Sequence, residues 1–415
     1  MKKIKFYGNQ IPSTSVPDLQ GIEELEAVEI YQLNTATRAE RAAIELDGED
    51  KLIELVFEDG TEWLTDANEI EKLFPNPSKR GEENTIEIPD FLTFETPDQR
   101  GIKKFFLKLV KLYQLKQKKL TKKLGIQIDQ KIKAKEILYR LHTPSHYEEF
   151  KANPSTNPDK YLLLLHGFGS STRGSFFEPY DDSQFQTLWS KMRSIYQEAI
   201  LGYDHHTISK SPIQNAIDVI QLLPQTATLD ILSYSRGGLI ADLLAKCSVK
   251  GTSSNRLFSQ EDYKKLDEKQ QEELKTLEEL AKEKKIKVNR VIRVACPARG
   301  TILLDQRMDY FLNAVLGGFQ AATGIGFNPI YWAIKGLLVQ TIKARTKPEI
   351  FPGVAAMVPG SDFQQMINQS KRKTKDELLV IEGDAQYGYN IKQSLLVLLA
   401  NIGFSQKNDF VVNTN

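Results

Sequence analysis

The chain has 415 residues, which is enough for one large domain and a smaller second one. Hydrophobic residues make up 40 % and charged residues 26 %, a balance that excludes a disordered or membrane-embedded chain. The formal net charge is +1, so no whole-protein field attracts nucleic acid, and two cysteines, Cys247 and Cys296, are too few for a disulfide framework. These features predict a two-domain cytoplasmic protein that binds no nucleic acid.

Residues 1–95 are predicted to form a small β-rich N-terminal domain. Residues 52–57 and 61–64 alternate like strands and flank Asp59 and Gly60, a dipeptide that favours tight hairpin turns. Prolines and glycines between residues 75 and 97 interrupt regular structure, which places a domain boundary near residue 95.

Residues 96–157 are predicted to be a linker that contains a basic amphipathic helix. Apolar residues recur at helical spacing through residues 101–123, and nine lysines with no acidic residue share that segment. The favoured interpretation is a helix that packs on the next domain with its lysines in water. The alternative is peripheral contact with an anionic membrane or an acidic partner.

Residues 158–415 are predicted to form an α/β domain. Short apolar strands alternate with helices, which is typical of a mostly parallel sheet with helices on both faces. A serine and a proline at residues 211–212 predict the start of one helix. Two helical inserts are expected near residues 255–287, a charged and solvated segment, and 305–350, where residues 310–338 occupy the position of a lid. The predicted strands are residues 161–165, 199–203, 228–232, 288–295, 378–381 and 409–412.

The segment SYSRGG at residues 233–238 follows a predicted strand and precedes an apolar helix. This context predicts a nucleophile elbow with Ser235 as the nucleophile, since the tight turn requires small flanking residues. Ser233 and Gly237 meet that requirement. Gly238 allows the helix to approach the sheet closely.

The segment HGFGSS at residues 166–171 directly follows the strand predicted at 161–165. It predicts an oxyanion loop, in which the backbone N–H groups of Phe168 and Arg236 stabilise a tetrahedral intermediate. His166 precedes the first of these donors, so it is expected to order the loop together with Gly167 rather than to act as a base.

Residues 166–167, the elbow at Ser235 and residues 297–301 resemble bacterial lipases. Residues 166–172, 174–176, 204–207, 215–216 and 235–239 resemble more closely an uncharacterised lipase-like hydrolase domain of bacterial proteins that often also carry a caspase-like CHAT protease domain. The resemblance covers the chain from about residue 158 onward. It implies an α/β-hydrolase fold and an ester or lipid substrate. Tyr234 departs from that family, which usually has histidine before the nucleophile.

The resemblance also raises the question of the general base. All five histidines precede Ser235, whereas this fold supplies its histidine after the last strand. Three expectations remain open: a base from a missing C-terminal segment, a displaced base at His205 or His206, or no catalysis. Asp409 resembles the segment that supplies the acid in lipases, and Asp384 is the alternative.

The sequence therefore predicts a serine hydrolase of lipase or esterase type that acts on carboxylic esters, lipids among them, and lacks its usual histidine. The alternative is a catalytically inactive α/β-hydrolase-fold module that works with a protease or another partner domain. Histidines and cysteines are not spaced as metal ligands, and no phosphate-binding or dinucleotide motif is present, so neither a metal nor a cofactor is expected.

Overall fold

The computed structural model divides the chain into two compact units. The first comprises Met1–Leu120, Arg307–Lys347 and Ala385–Phe410, and the second comprises Thr121–Gln306, Pro348–Asp384 and Val411–Asn415. The structure describes residues 3–12, 25–33, 42–47, 51–67, 69–70, 85–95, 102–115, 122–132, 135–152, 158, 160–177, 183–248, 258–301, 304, 308–323, 334–335, 337–339, 350–369 and 377–381.

The strands and helices of these residues are numbered in chain order. The strands are β1 Lys3–Ile11, β2 Leu25–Gln32, β3 Ala42–Asp47, β4 Lys51–Phe57, β5 Glu62–Asp66, β6 Thr85–Glu87, β7 Phe91–Glu95, β8 Ile102–Leu115, β9 Ile137–Leu141, β10 Tyr147–Glu149, β11 Lys160–Leu165, β12 Ile200–Asp204, β13 Thr228–Tyr234, β14 Lys287–Val294 and β15 Glu377–Ile381. The helices are α1 Lys122–Ile132, α2 Thr172–Phe176, α3 Ser183–Tyr196, α4 Pro212–Leu222, α5 Gly237–Cys247, α6 Gln260–Tyr263, α7 Glu268–Lys284, α8 Met308–Thr323, α9 Pro352–Ala355 and α10 Asp362–Gln369.

The first unit is built on an eight-stranded sheet that is almost entirely antiparallel. Its main path has the order β3-β1-β2-β8-β4-β5, while β6 pairs with β1 and β7 pairs with β8. The predicted hairpin is confirmed as β4 and β5, and its turn places Gly60 at φ 86°, a left-handed conformation that glycine adopts easily.

The predicted basic helix in residues 101–123 is wrong, because residues 102–115 form the long strand β8. Exposure alternates along its first half: Lys104 and Lys108 face solvent, whereas Phe105 and Leu107 are buried. β8 pairs with β2 on one side and β4 on the other. A segment rich in apolar residues fits both a helical and an alternating period, and pairing along both edges selects the strand.

The first unit also includes the insert that follows β14. Helix α8 buries Phe311, Leu312 and Leu316. Asn313 uses its side-chain amide to bond both the N–H and the C=O of Leu64, at 3.0 and 2.9 Å. Where the structure describes the segment predicted as a lid, its apolar side chains are therefore core residues rather than an exposed apolar rim.

A buried ionic cluster lies in the same unit. Lys335 is 2 % exposed, and its Nζ lies 2.6 Å from a carboxylate oxygen of both Glu54 and Glu62. Burial and the neighbouring Glu54 raise the pKa of Glu62. Although burial opposes it, Lys335 and Lys111 hold the pKa of Glu54 below its ordinary value. The cluster places a charge from the insert against the N-terminal sheet.

The second unit has an α/β architecture. Its seven-stranded sheet has the order β10-β9-β12-β11-β13-β14-β15. Strands β11 to β15 run parallel to one another, whereas β9 is antiparallel to both β10 and β12. The five strands predicted between residues 161 and 381 are confirmed, and the one predicted at 409–412 lies outside the described residues.

Two predictions about helices have different outcomes. Helix α4 begins as predicted, since the Ser211 hydroxyl accepts the N–H of Gln214 at 3.0 Å and Pro212 occupies the first turn. The predicted solvation of the charged insert is wrong in part. Helix α7 buries Leu274, Leu277 and Ala281 and packs on α4. Its acidic residue Glu278 is buried as well, at 4 % exposure.

Candidate active site

The candidate site lies at the carboxyl ends of two neighbouring strands. β11 pairs with β12 on one side and β13 on the other, in a register that places Leu165 opposite Ser233. The chain thus passes from one side of β11 to the other between β12 and β13. Ligands of open α/β sheets bind at such switch points, beyond the carboxyl ends of the strands.

Ser235 occupies a strained turn between β13 and α5. Its φ is 49°, in the left-handed region that serine normally avoids. Two backbone hydrogen bonds hold the turn: the Ser235 N–H donates to Val294 O at the end of β14, at 2.8 Å, and the Gly238 N–H donates to Ser235 O at 3.0 Å. Strain of this kind persists only where the surroundings impose it, and it concentrates at functional sites.

The backbone around this turn leaves no room for side chains. A Cβ at Gly237 would lie 2.3 Å from Leu165 O, and one at Gly238 would lie 2.1 Å from Cys296 Sγ. A Cβ at Gly167 would lie 3.0 Å from the Cβ of Ser235, so the loop after β11 passes directly beside the serine. The two segments picked out in the sequence are therefore brought together.

Two polar groups of the turn have no partner within the described part of the chain. The Ser235 hydroxyl is half-buried and makes no hydrogen bond there, and we find no acceptor there for the backbone N–H of Arg236. A hydroxyl beside an unpaired N–H is the arrangement that an acyl group and its oxyanion require.

His166 is fully buried and orders the loop after β11. Its Nδ1 lies 2.8 Å from Gly167 O, and its Nε2 accepts the backbone N–H of His205 at 3.1 Å. These two bonds fix the neutral form with the proton on Nδ1. In a trans peptide the C=O and the following N–H point in opposite directions, so the bond to Gly167 O sets the direction of the Phe168 N–H.

His205 lies beneath this loop. Its ring stacks between those of His166 and Tyr203, with centroid distances of 3.9 and 5.2 Å. Its Nδ1 lies 3.2 Å from Tyr203 O, while its buried Nε2 has no hydrogen-bond partner in the part of the chain that the structure describes. Burial lowers the pKa of His205 well below its ordinary value, and the neighbouring His166 and Arg236 lower it further. The ring is therefore neutral near pH 7.

His206 occupies a different position. It is partly exposed, and its backbone N–H donates to Glu136 at 3.1 Å. Within the described residues, no hydrogen bond joins the ring of His205 or His206 to the Ser235 hydroxyl.

The buried side chain of Arg236 joins several segments around the site through hydrogen bonds. It is fully buried, and its Nε donates to Gly353 O at 3.1 Å, while Nη2 donates to Lys210 O at 2.8 Å and Asn215 Oδ1 at 3.0 Å. Burial lowers the pKa of Arg236 to about 10, against the opposing attraction of Asp129 and Glu136. The sequence predicted a role for its backbone N–H only, since no local pattern reveals where a long side chain ends.

Asp129 and Thr207 are site residues that the sequence did not predict. The Thr207 hydroxyl accepts the N–H of Gly169 at 2.9 Å. Asp129 is 2 % exposed and accepts the N–H groups of Thr207, Ile208 and Ser209 at 3.0, 3.2 and 2.7 Å. Thr207 lies in the segment 204–207 that carries part of the family resemblance, whereas Asp129 carried no sequence signal.

The remaining predicted site residues are accounted for as follows. Ser233 is buried, with its hydroxyl bonded to Ile292 O at 3.1 Å beneath the turn. Asp384 and Asp409 lie outside the described residues. Those residues contain no group of three His, Cys, Asp or Glu side chains placed to hold a metal ion. None of their helices is both long and apolar enough to cross a membrane.

Comparison with known proteins adds a family. Residues 135–258 and 272–415 match a family described as a domain of unknown function, DUF7379. No curated protein matches the chain.

Three solved structures show weak likenesses. The mature lipase BlEst2 of Bacillus licheniformis has 14 % identity and a TM-score of 0.30, covering 64 % of this chain and 81 % of that one. A carboxylesterase of the archaeon Nitrososphaera gargenis has 12 % identity and a TM-score of 0.25, covering 64 % and 99 %. The Vlm2 thioesterase domain has 11 % identity and a TM-score of 0.23, covering 64 % and 97 %. At such low TM-scores, the argument for a function rests on the strand order and the geometry at Ser235.

Proposed function

Since the chain belongs to the DUF7379 family, whose domain has no assigned function, we propose its activity from the geometry of the site. The protein is a serine hydrolase of lipase or esterase type, with an α/β-hydrolase fold in its second unit, and it cleaves carboxylic esters through Ser235. The observation that carries the proposal is the left-handed turn at Ser235, with φ 49° between a parallel strand and a buried helix. This is the conformation of a nucleophile elbow.

The reaction follows from the groups around that turn. Ser235 Oγ attacks the acyl carbon and forms a C–O bond, its proton passes to a base, and the carbonyl electron pair moves to the oxygen. The N–H groups of Arg236 and Phe168 stabilise that oxyanion. Its collapse breaks the ester bond, and the departing alcohol takes the proton from the base. Water then repeats the sequence on the acyl-enzyme and releases the acid.

His205 and His206 are the base candidates that the described residues offer. The Nδ1–H of His205 donates to Tyr203 O, which leaves its Nε2 lone pair as a proton acceptor with no partner among the described residues. Its ring stacks on His166, which orders the loop beside Ser235. The depressed pKa keeps His205 in the neutral form that a base requires and also makes it a weak base, so we expect slow turnover. Asp384 and Asp409 remain the candidates for an acid.

Labelling with a fluorophosphonate probe tests Ser235 directly. We expect the intact chain and the exposed-site control Ser194→Ala to be labelled and to hydrolyse p-nitrophenyl esters, while Ser235→Ala does neither. Labelling that survives in Ser235→Ala would refute the assignment of the nucleophile. Ester chain length then separates a lipase from an esterase, because a lipase prefers long acyl chains.

A second candidate function is a silent module that binds a protease or another partner domain. It is favoured by the absence, among the described residues, of any hydrogen bond between Ser235 Oγ and a histidine. Complete absence of labelling and ester hydrolysis in a folded sample would favour this module over the hydrolase.

A further inference from the structure

The loop that follows β12 connects the elements around Ser235. Its residues 207–210 contact the loop after β11 through Thr207, the elbow through Lys210 O and Arg236, and helix α1 through Asp129. Gly353, at the start of α9, packs so closely on it that a Cβ there would lie 1.9 Å from Thr207 O. A shift of this loop would therefore be transmitted to both halves of the site.

We propose that Asp129 and Thr207 are positioning residues for the oxyanion hole, a role that rests on the proposed hydrolase function. Neither touches the reacting atoms. Thr207 fixes the backbone that carries the Phe168 donor, and Asp129 fixes Thr207.

Two successive peptide groups beside Phe168 are each held by a side chain. His166 bonds Gly167 O and so holds the peptide that contains the Phe168 N–H. Thr207 Oγ1 accepts the N–H of Gly169 at 2.9 Å and so holds the next peptide, while Gly169 itself turns with φ 60°. With both neighbouring peptide planes fixed, the Phe168 N–H has a single direction. Preorganised donors stabilise an oxyanion without reorganising during the reaction.

Asp129 accepts hydrogen bonds from several donors of one loop. Its two carboxylate oxygens accept three consecutive backbone N–H groups and the Ser209 hydroxyl, the last at 2.6 Å. A buried carboxylate with this many donors holds a loop in one conformation, because each lost bond would leave a buried polar group unpaired.

Asp129 lies on α1, upstream of residues 135–258 and 272–415 that match the family. The residues that match the family thus depend on a carboxylate outside their own boundaries. A chain that began at residue 135 would keep Ser235 and lose the hydrogen bonds that residues 207–209 donate to Asp129.

The test uses the full chain with two variants: Thr207→Val, which is isosteric but lacks the hydroxyl, and Thr207→Ser, which keeps the hydroxyl and lacks the methyl group. We expect Thr207→Val to lower kcat for a p-nitrophenyl ester, and the rate of fluorophosphonate labelling, about tenfold with little change in KM. Thr207→Ser keeps the hydroxyl and should restore both rates to within about threefold. Asp129→Asn, which replaces one accepting oxygen with a donor, should resemble Thr207→Val.

A stability control separates positioning from general weakening. Ser259→Ala removes the capping box of α6 and should destabilise the fold without lowering kcat. The proposal is overturned if Ser259→Ala lowers kcat as much as Thr207→Val does, or if Thr207→Val matches the wild type.

Hydrogen exchange distinguishes failure of this proposal from failure of the hydrolase function. We expect the Gly169 amide to exchange faster in Thr207→Val and Asp129→Asn than in the wild type. If the wild type is inactive but exchange rises in the two variants, the positioning role of Asp129 and Thr207 is supported and the hydrolase function is refuted. If the wild type is active but neither exchange nor kcat changes in the variants, the hydrolase function stands and the positioning role is refuted.

Discussion

The two turns that meet at Ser235 are held in opposite ways. The turn after β13 is held by lack of space and by backbone contacts with the neighbouring strands, with Gly237 against Leu165 O and the Ser235 N–H bonded to Val294 O. The loop after β11 is held by side chains from elsewhere, through Thr207 and the stacked histidines. The small residues that close packing requires are visible in the sequence of the turn itself. The side chains that hold the loop after β11 come from other parts of the chain and are not visible in the sequence of that loop.

Gly237→Ala should have the largest effect, since it places a methyl group 2.3 Å from Leu165 O. We expect a loss of about 3 kcal/mol in the free energy of unfolding, measured by urea denaturation, because the atoms in the way are backbone atoms of Leu165 and His166 that cannot easily move aside. Gly360→Ala is the control: it has φ 71° but nothing within 4 Å, and it should cost only about 1 kcal/mol. Equal losses in the two variants would mean that space is not what holds the elbow.

Arg236→Met should lower the free energy of unfolding nearly as much, and it tests whether Arg236 couples the turn after β13 to the loop at residues 207–210. It removes the donors to Gly353 O and Lys210 O and leaves these carbonyls unpaired, at a cost of about 2 kcal/mol in unfolding free energy. We also expect faster amide exchange in residues 207–210. Unchanged exchange there would show that the elbow and the loop are held independently.

His205 should make the free energy of unfolding depend on pH. Its pKa is lowered in the folded state, so below its ordinary value of 6.5 the unfolded chain binds the proton more readily and stability falls as pH falls. The contribution is about 1.4 kcal/mol per pH unit until the folded pKa is reached. His205→Phe keeps a stacked ring and should remove this part of the slope in denaturation series between pH 7 and 5. An identical slope in both proteins would contradict the assignment.

Ser235→Gly should give the smallest effect and the opposite sign. Glycine adopts φ 49° without strain, so we expect a gain of about 1 kcal/mol in thermal unfolding experiments, together with loss of labelling. Ser235→Ala keeps the strain and should show no gain. A stabilised alanine variant would indicate that the hydroxyl, and not the backbone, is the source of strain.

The same contrast explains what the sequence could predict. The strands of the second unit, the tight turn at Ser235 and the start of α4 follow from local patterns, namely short apolar runs, small residues at a tight turn and a serine before proline. Asp129 could not be found in this way, because its partners are 78 to 80 residues away along the chain. The ring and guanidinium contacts of His205 and Arg236 likewise depend on which strands become neighbours.

The error at β8 has a related cause. Its lysines and apolar residues fit a helical period as well as an alternating one, and only pairing with β2 and β4 decides between them. Lys111 was predicted to be exposed to solvent with the other lysines of this segment. It is instead 8 % exposed and lies beside Glu54. A buried charge is predictable only once its partner is known.

The ionic cluster of the first unit has a consequence for how the protein is made. Glu54 is completely buried, and its partner Lys335 lies 281 positions later in the chain. At about 5–20 residues per second, a ribosome needs roughly 15–55 s to reach the lysine after it has made the glutamate. During that interval Lys111 is already present beside Glu54 but Lys335 is not, so the ionic cluster is completed only after most of the polypeptide has been synthesised.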